Sequence, residues 1–369
     1  MNTTETSATK RRLVPFLDYM RIASAFFVFL FHSNMHIGVD YWVLNPFVST
    51  GAIFMTAFFM LSGISLAYNY EDKDLLCLDG YIRFIKKRII SIYPAYIILY
   101  VLIVLKFILT KTMNLTLLQN FVVLPVELTL LQSVFGNSFC TLHNGGTWFV
   151  SCIFICYLLF PFLCRIIMQI SKKQIIILSL LIYCILTWAP VVEHFMSYSS
   201  IYANPFFRIL EFLLGICLIR ILKLFTHPSQ KCSIIMCVVI HVLLLMFVTI
   251  IKHWFKINPY CLYNFIVVPA FFFLFYFGIN IENAKIDALF NGKVLKYLSK
   301  SSYVFFLVQF FTWDSFRLVK KILNAEFNDF ESFLISLTIN IIEMIVMYEL
   351  MEKPLSKFMK TKMLGNGAY

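Results

Sequence analysis

The feature that most limits how this chain can fold is a series of long apolar runs separated by short polar segments. Several of these runs reach the roughly 18 residues that an α-helix needs to cross a lipid bilayer. Hydrophobic residues make up 60% of the 369 residues and charged residues 14%, whereas about 25% of the residues in soluble domains are charged. The pattern predicts an all-α integral membrane protein rather than a soluble fold with one membrane anchor.

About ten membrane spans can be drawn, and together they predict a single membrane domain over residues 1–369 with no appended soluble domain. The spans are predicted at residues 14–34, 47–68, 89–109, 147–168, 174–191, 206–224, 233–251, 262–280, 301–318 and 332–350. Lysine and arginine concentrate in alternate connections, and cytoplasmic connections are the ones that carry an excess of these residues. We therefore expect the N-terminus and the C-terminus to be cytoplasmic.

The net charge of +12 and the ten cysteines limit the classes of partner. Such a charge in a soluble protein would suggest nucleic acid, but here the basic residues fall between apolar runs, where membrane topology explains them. We expect a lipid bilayer around the chain and no nucleic acid. The cysteines lack the short spacings of metal ligands, so no metal site is predicted. Cys140 and Cys261 lie in predicted loops on one side of the membrane and could form a disulfide.

Two polar residues, Arg21 and His32, interrupt the first apolar run. The two residues are eleven positions apart, and a rotation of about 100° per residue places both side chains on the same helix face. Their separation along the helix axis is about 16 Å. An arginine within a span is costly and usually faces a cavity or a partner, and a histidine exchanges protons near neutral pH. The pair therefore predicts a functional face. The alternative is an arginine whose head group reaches one membrane interface and a histidine at the other.

A basic cluster precedes the third predicted span and contains Arg83, Lys87 and Arg88. Guanidinium and ammonium groups at the mouth of a cavity attract phosphate groups. The same residues would also set the membrane topology and bind anionic lipids. The sequence leaves both interpretations open.

Several segments, in order along nearly the whole chain, resemble acyltransferase family 3, a family of membrane acyltransferases. The first is FLDYMRIASAFFVFLFH, in which Asp18, Arg21 and His32 match the family in residue type and spacing. The others are FFMLSGISL around Ser62, RFIKKRIISIYPAY, TWFVSCIFICYLLFP, FRILEFLLGICL, SSYVFFLVQ and YELMEKP. Each motif is weak alone, and their shared order is specific.

The resemblance implies a fold of about ten helices around a central path and an O-acyltransferase in the cytoplasmic membrane. The acyl group, usually acetyl, would come from acyl-CoA, which is a co-substrate, so no bound cofactor is expected. The acceptor would be a hydroxyl of a cell-envelope polysaccharide or of its lipid-linked precursor. By the same resemblance, His32 is the general base and Arg21 helps to bind the donor. Transfer could be direct or pass through an acyl-His32 intermediate.

Four further residues could bind the acceptor or have structural roles. Arg208 and Glu211 are three residues apart and can pair on one helix face, either as a structural ion pair or as acceptor ligands. Trp148 begins the fourth predicted span, where it is either an interface residue or a surface on which a sugar stacks. Ser62 lies at the centre of the second family motif.

Three positions depart from the family pattern. Ser91 stands where the family often has an arginine, Ile153 where it often has a glutamate, and Gln309 where many members have a histidine. Because an amide cannot exchange a proton at neutral pH, His32 is the one strong acid-base candidate within a predicted span.

A transporter or exporter of a glycan or lipid-linked intermediate is the alternative function. Charged groups within a helix bundle also serve transport, and many transporters contain repeated halves. No internal repeat is visible in this sequence, and the spacing of Arg21 and His32 has no evident role in transport. A purely structural membrane protein would leave both residues unexplained.

Overall fold

A computed structural model describes residues 14–110, 117–135, 145–196, 201–255 and 260–365 of the chain. Within these ranges the backbone forms helices joined by turns and contains no β-strand. The α-helices are α1 (Pro15–Ile37), α2 (Asn45–Val48), α3 (Phe54–Tyr70), α4 (Leu78–Thr110), α5 (Leu117–Leu128), α6 (Trp148–Gln169), α7 (Lys172–Met196), α8 (Pro205–Leu224), α9 (Gln230–Phe255), α10 (Asn264–Ile279), α11 (Ala284–Phe290), α12 (Lys293–Leu323), α13 (Asp329–Val346) and α14 (Lys353–Leu364). The prediction of an all-α fold is confirmed.

Eight helical segments are long and apolar enough to cross a membrane within the described part of the chain. They are Pro15–Ile37, Gly51–Tyr70, Leu78–Thr110, Trp148–Gln169, Lys172–Phe195, Gln230–Phe255, Cys261–Ile279 and Asp329–Leu364. The other two predicted spans fall on α8 and α12, which have 20 and 31 residues. Four charged residues lie in α8, and polar residues such as Gln309 lower the mean hydropathy of α12.

Three helices extend beyond or between the predicted spans. Helix α4 begins at Leu78, so the basic cluster lies in its first turns rather than in a loop. Helix α5 occupies part of the long connection that follows α4. A π-helical turn, Met347–Glu352, joins α13 directly to α14.

Local sequence signals explain several helix ends near the site. Pro15 is the first residue of α1, where its missing N–H group costs no helical hydrogen bond. Gly38 follows the last turn of α1 with φ 73°, a left-handed conformation that glycine adopts readily. The side chain of Asn204 accepts a hydrogen bond from the backbone N–H of Phe206 at the start of α8.

Helix α1 packs against α3 and α12, and α3 packs closely against α8. The close approach depends on two glycines, because a Cβ atom at Gly63 would lie 2.1 Å from the carbonyl oxygen of Phe212. A Cβ atom at Gly215 would lie 2.2 Å from the carbonyl oxygen of Met60. Small residues that allow backbones to approach are typical of helix packing in membranes. This packing fixes α3 between α1 and α8.

Candidate active site

A cavity of about 660 Å³ contains Arg21 and is here named the Arg21 cavity. Residues of α1, α3, α4, α6 and α12 line it. Its charged lining residues are Arg21, Arg88, Lys296, Lys300, Asp18 and Glu352. Four cations against two carboxylates favour an anionic ligand.

Arg21 is held by hydrogen bonds to two side chains. Its Nη1 donates to Oδ1 of Asp18 over 2.8 Å, and its Nη2 donates to Oγ of Ser65 on α3 over 2.8 Å. The hydroxyl of Ser299 on α12 also donates to Oδ1 of Asp18, over 2.5 Å. These contacts fix the guanidinium at the junction of three helices while the side chain still lines the cavity.

The basic cluster on α4 divides into one cavity residue and exposed residues. Arg88 lines the Arg21 cavity, and its guanidinium lies 5.6 Å from the ring centre of Tyr70 and 5.9 Å from that of Tyr157. Its Nε is buried and has no hydrogen-bond acceptor among the described residues. Arg83 and Lys87 are exposed and do not line this cavity. Of the three predicted residues, Arg88 is therefore the one placed to bind an anionic ligand in this cavity.

A second cavity, of about 410 Å³, contains His32 and is here named the His32 cavity. The Nδ1 of His32 lies 2.7 Å from Oε1 of Gln309 on α12. An amide oxygen can only accept a hydrogen bond, so the imidazole donates from Nδ1 and keeps its lone pair on Nε2. The described residues offer no partner to this Nε2. That tautomer suits a general base.

Aromatic residues form most of the remaining wall of the His32 cavity. The ring of His36 is stacked on Trp313, with 5.6 Å between ring centres and 20° between planes. His36 also lies 5.7 Å from His32, ring centre to ring centre. Trp148 and Tyr202 also line the cavity. An apolar wall with few polar groups excludes water and fixes the orientation of a ligand.

Phe306 is the residue that both cavities share. Its ring centre lies 5.6 Å from that of Phe149, 6.4 Å from that of Phe58 and 6.5 Å from that of His32. Phe58 and Phe149 line the Arg21 cavity. An aromatic partition, formed by Phe58, Phe149 and Phe306, therefore stands between the two cavities.

Arg208 and Glu211 form a buried ion pair behind the wall of the His32 cavity. Arg208 is 2% exposed and Glu211 0%. The Nη1 of Arg208 donates to both carboxylate oxygens of Glu211, over 2.7 and 2.9 Å, and Thr56 donates to Oε1 of Glu211 over 2.8 Å. The guanidinium also lies 4.7 Å from the ring centre of Tyr202 and 5.3 Å from that of Trp148. The ion pair thus supports two lining residues and does not itself line the cavity.

The remaining predicted site residues are placed as follows. Trp148 is 6% exposed and lies in the cavity wall, not at a lipid-facing surface. Ser62 lines the Arg21 cavity, and its hydroxyl donates to the backbone oxygen of Phe58. Cys261 is buried with a free thiol, whereas Cys140 lies outside the described residues. No group of three or more metal-ligating side chains occurs in the part of the chain that the structure describes.

Sequence reasoning missed several lining residues. His36 follows His32 by four residues, and this spacing places both on one helix face, so the signal was present. Lys296 and Lys300 have the same spacing at the start of α12, but nothing in the sequence alone tells which face of α12 meets α1. The sequence marks Gln309 as a departure from the family pattern but does not predict its contact with His32.

Comparison with known families gives a match to the family described as an acyltransferase domain, which is acyltransferase family 3, over residues 14–348. No curated protein and no solved structure matches the chain. The matched segment begins one residue before α1 and ends in the π-helical turn, so it contains both cavities. The chain therefore belongs to acyltransferase family 3 and is a multi-pass membrane acyltransferase.

Proposed function

We propose that the protein is an O-acyltransferase of the cytoplasmic membrane that moves an acetyl group from acetyl-CoA to a hydroxyl of an envelope polysaccharide or its lipid-linked precursor. In this proposal the chain has ten spans, including α8 and α12, and both termini are cytoplasmic. Arg21 precedes His32 in α1, so the Arg21 cavity opens toward the cytosol, where CoA is present.

The observation that carries the proposal is that Arg21 and His32, on one helix, line two adjoining cavities. CoA carries phosphate groups at one end and its thioester at the end of a long pantetheine arm. The cations of the Arg21 cavity, Arg88 among them, suit the phosphates. The axial distance of about 16 Å between Arg21 and His32 suits an extended arm that ends near the imidazole.

His32 then activates the acceptor hydroxyl. Its Nε2 takes the hydroxyl proton as the acceptor oxygen bonds to the acyl carbon, and it returns the proton to the thiolate sulfur as the carbon–sulfur bond breaks. In the alternative course, Nε2 attacks the acyl carbon first and forms an acyl-His32 intermediate. Labelled acetyl groups that stay on the wild-type protein when acceptor is absent would indicate the second course.

The test uses the purified protein in liposomes, radiolabelled acetyl-CoA and an extract of envelope polysaccharide as the acceptor. The variants are His32→Ala, Arg21→Gln and the control His253→Ala, which replaces an exposed histidine near the end of α9. We expect wild type and the control to transfer label to the polysaccharide as an ester that mild base releases. The rate of transfer should fall about 10²–10⁴-fold in His32→Ala. Undiminished transfer by His32→Ala would overturn the assignment of the base. Protein-dependent passage of glycan across the membrane, without any transfer by wild type, would favour the exporter.

A further inference from the structure

Gln309 has one hydrogen-bonding atom that is used and one that is not. The residue is 2% exposed and lines the His32 cavity. Its Oε1 accepts from Nδ1 of His32 over 2.7 Å, but its Nε2 is buried with no hydrogen-bond partner among the described residues. Buried amide N–H groups are almost always paired, because leaving one unpaired costs free energy. An unpaired N–H group beside the proposed base therefore calls for an explanation.

Other polar side chains of α12 show that this helix readily satisfies its buried groups. The hydroxyl of Thr312, one turn away, lies 2.6 Å from Oε2 of Glu343 and 2.8 Å from Oδ1 of Asn340, two acceptors on α13. Ser301 and Ser302 donate to backbone oxygens within α12. The unpaired amide is thus specific to the position that contacts the cavity and His32.

Helix packing alone does not explain the contact between Gln309 and His32. The ion-paired Asp18 of α1 already accepts from Ser299 of α12, and Phe29 of α1 packs on Trp313 of α12 with ring centres 5.4 Å apart. A methionine or leucine at position 309 would fill the same space without a buried polar cost. An amide at position 309 is therefore better explained by an interaction with a ligand in the His32 cavity than by helix packing.

We infer that Gln309 is the oxyanion donor of the reaction as well as the residue that fixes the tautomer of His32. This inference rests on the proposed acyl transfer. When the acceptor oxygen bonds to the acyl carbon, the carbonyl π electrons move to the carbonyl oxygen, and Nε2–H of Gln309 donates to that developing oxyanion. The tetrahedral intermediate then collapses: the carbonyl re-forms, the carbon–sulfur bond breaks, and the proton on His32 moves to sulfur. The Oε1 of the same amide holds His32 in place throughout.

The arrangement explains why one amide suffices for both tasks. The two ends of a carboxamide are an acceptor and a donor that lie on the same rigid plane. With the acceptor end fixed on Nδ1 of His32, the donor end is held at a constant position relative to the imidazole. Donors that are in place before the charge develops need no reorganisation during the reaction.

The test compares Gln309→Met and Gln309→Glu with wild type in the liposome assay, with Gln174→Glu as a control for added charge. Gln174 is exposed in the first turn of α7, away from both cavities. Methionine conserves volume and removes both hydrogen-bonding atoms. A glutamate carboxylate keeps the acceptor beside His32 and has no hydrogen to donate. The kcat, the KM for acetyl-CoA and the thermal unfolding midpoint in detergent are measured for each variant.

We expect kcat to fall about 10²–10³-fold in both variants, with the KM for acetyl-CoA within twofold of wild type in both and an unchanged unfolding midpoint in Gln309→Met. The double variant His32→Ala, Gln309→Met should be slower than His32→Ala alone, because an oxyanion donor still stabilises the transition state when the base is absent. A kcat for Gln309→Glu within threefold of wild type, or a loss confined to KM, would overturn the inference while leaving the proposed function intact. Wild type without transfer activity would overturn both.

Discussion

Arg21 and His32 lie on the same helix, yet they line two different cavities. Each residue is tied to α12, Arg21 through Asp18 and Ser299 and His32 through Gln309. One rigid pair of helices thus sets the distance between the cationic site and the base. A molecule that contacts both residues must pass the aromatic partition at Phe306.

The partition gives the first prediction, which concerns Phe306→Ala. Removal of the ring joins the two cavities, so water and longer acyl chains can reach His32. We expect acetyl-CoA hydrolysis without acceptor to increase, and transfer of butyryl relative to acetyl to increase at least about tenfold, since each methylene in an apolar site contributes about 1–3 kcal/mol. Free CoA thiol is measured with and without acceptor. Phe305→Ala is the matched control, because Phe305 packs on Phe29 and lines neither cavity. Equal effects of the two variants would contradict the role of the partition.

The second prediction separates the residues of the basic cluster. Arg88→Gln removes a guanidinium that lines the Arg21 cavity, whereas Arg83→Gln removes one that is exposed. Hydrogen bonds to charged groups contribute about 1.5–3 kcal/mol, so the KM for acetyl-CoA should rise about tenfold to a hundredfold in Arg88→Gln. We expect less than a twofold change in Arg83→Gln. If both variants raise KM equally, the basic cluster acts through its summed electrostatic potential and not through a contact in the cavity.

The sequence alone was sufficient to single out Arg21 and His32 on one helix, and each of them lines a cavity. Arg21 and His32 stood out because charged or titratable residues within apolar runs are costly. Arg88 was predicted as part of the basic cluster before the third span, but the sequence did not distinguish it from Arg83 or Lys87, since side-chain direction on α4 depends on where α6 and α12 pack.

The rest of the site depends on contacts between helices that are distant in sequence. Gln309 and His32 are 277 residues apart, and only the register of α1 against α12 brings them within 2.7 Å. A pattern of apolar residues predicts that a helix has a buried face, but it does not identify the helix that covers it. Trp148 shows the same limit, because its position at the start of α6 suits an interface residue and its packing places it in the cavity wall.

The third prediction concerns the buried ion pair of Arg208 and Glu211. Removal of one partner leaves an uncompensated buried charge, which costs about 3–5 kcal/mol. We expect Arg208→Met and Glu211→Met to lower the thermal unfolding midpoint strongly, and the double variant to be more stable than either single variant. Unfolding in detergent and acetyl transfer are both measured. Transfer by the stable double variant would identify a structural pair, whereas a folded double variant with a raised acceptor KM would identify acceptor ligands.

The last prediction concerns the two glycines at which α3 and α8 meet. In Gly63→Ala the new methyl group would lie 2.1 Å from a backbone oxygen of α8, and in Gly215→Ala it would lie 2.2 Å from one of α3. Overpacking typically costs about 1–3 kcal/mol, and the cost here should exceed that range because backbone atoms cannot rotate away as side chains do.

Gly38→Ala is the matched comparison for these variants. It places alanine at φ 73° with no atom within 4 Å of the new methyl group, so only the backbone conformation is penalised, by about 1–2 kcal/mol. In detergent, the thermal unfolding midpoint of Gly38→Ala should therefore be higher than the midpoints of Gly63→Ala and Gly215→Ala. The same unfolding midpoint in all three variants would mean that α3 and α8 can separate without loss of the fold. In that case the position of Thr56 beside Glu211 would not depend on this close approach.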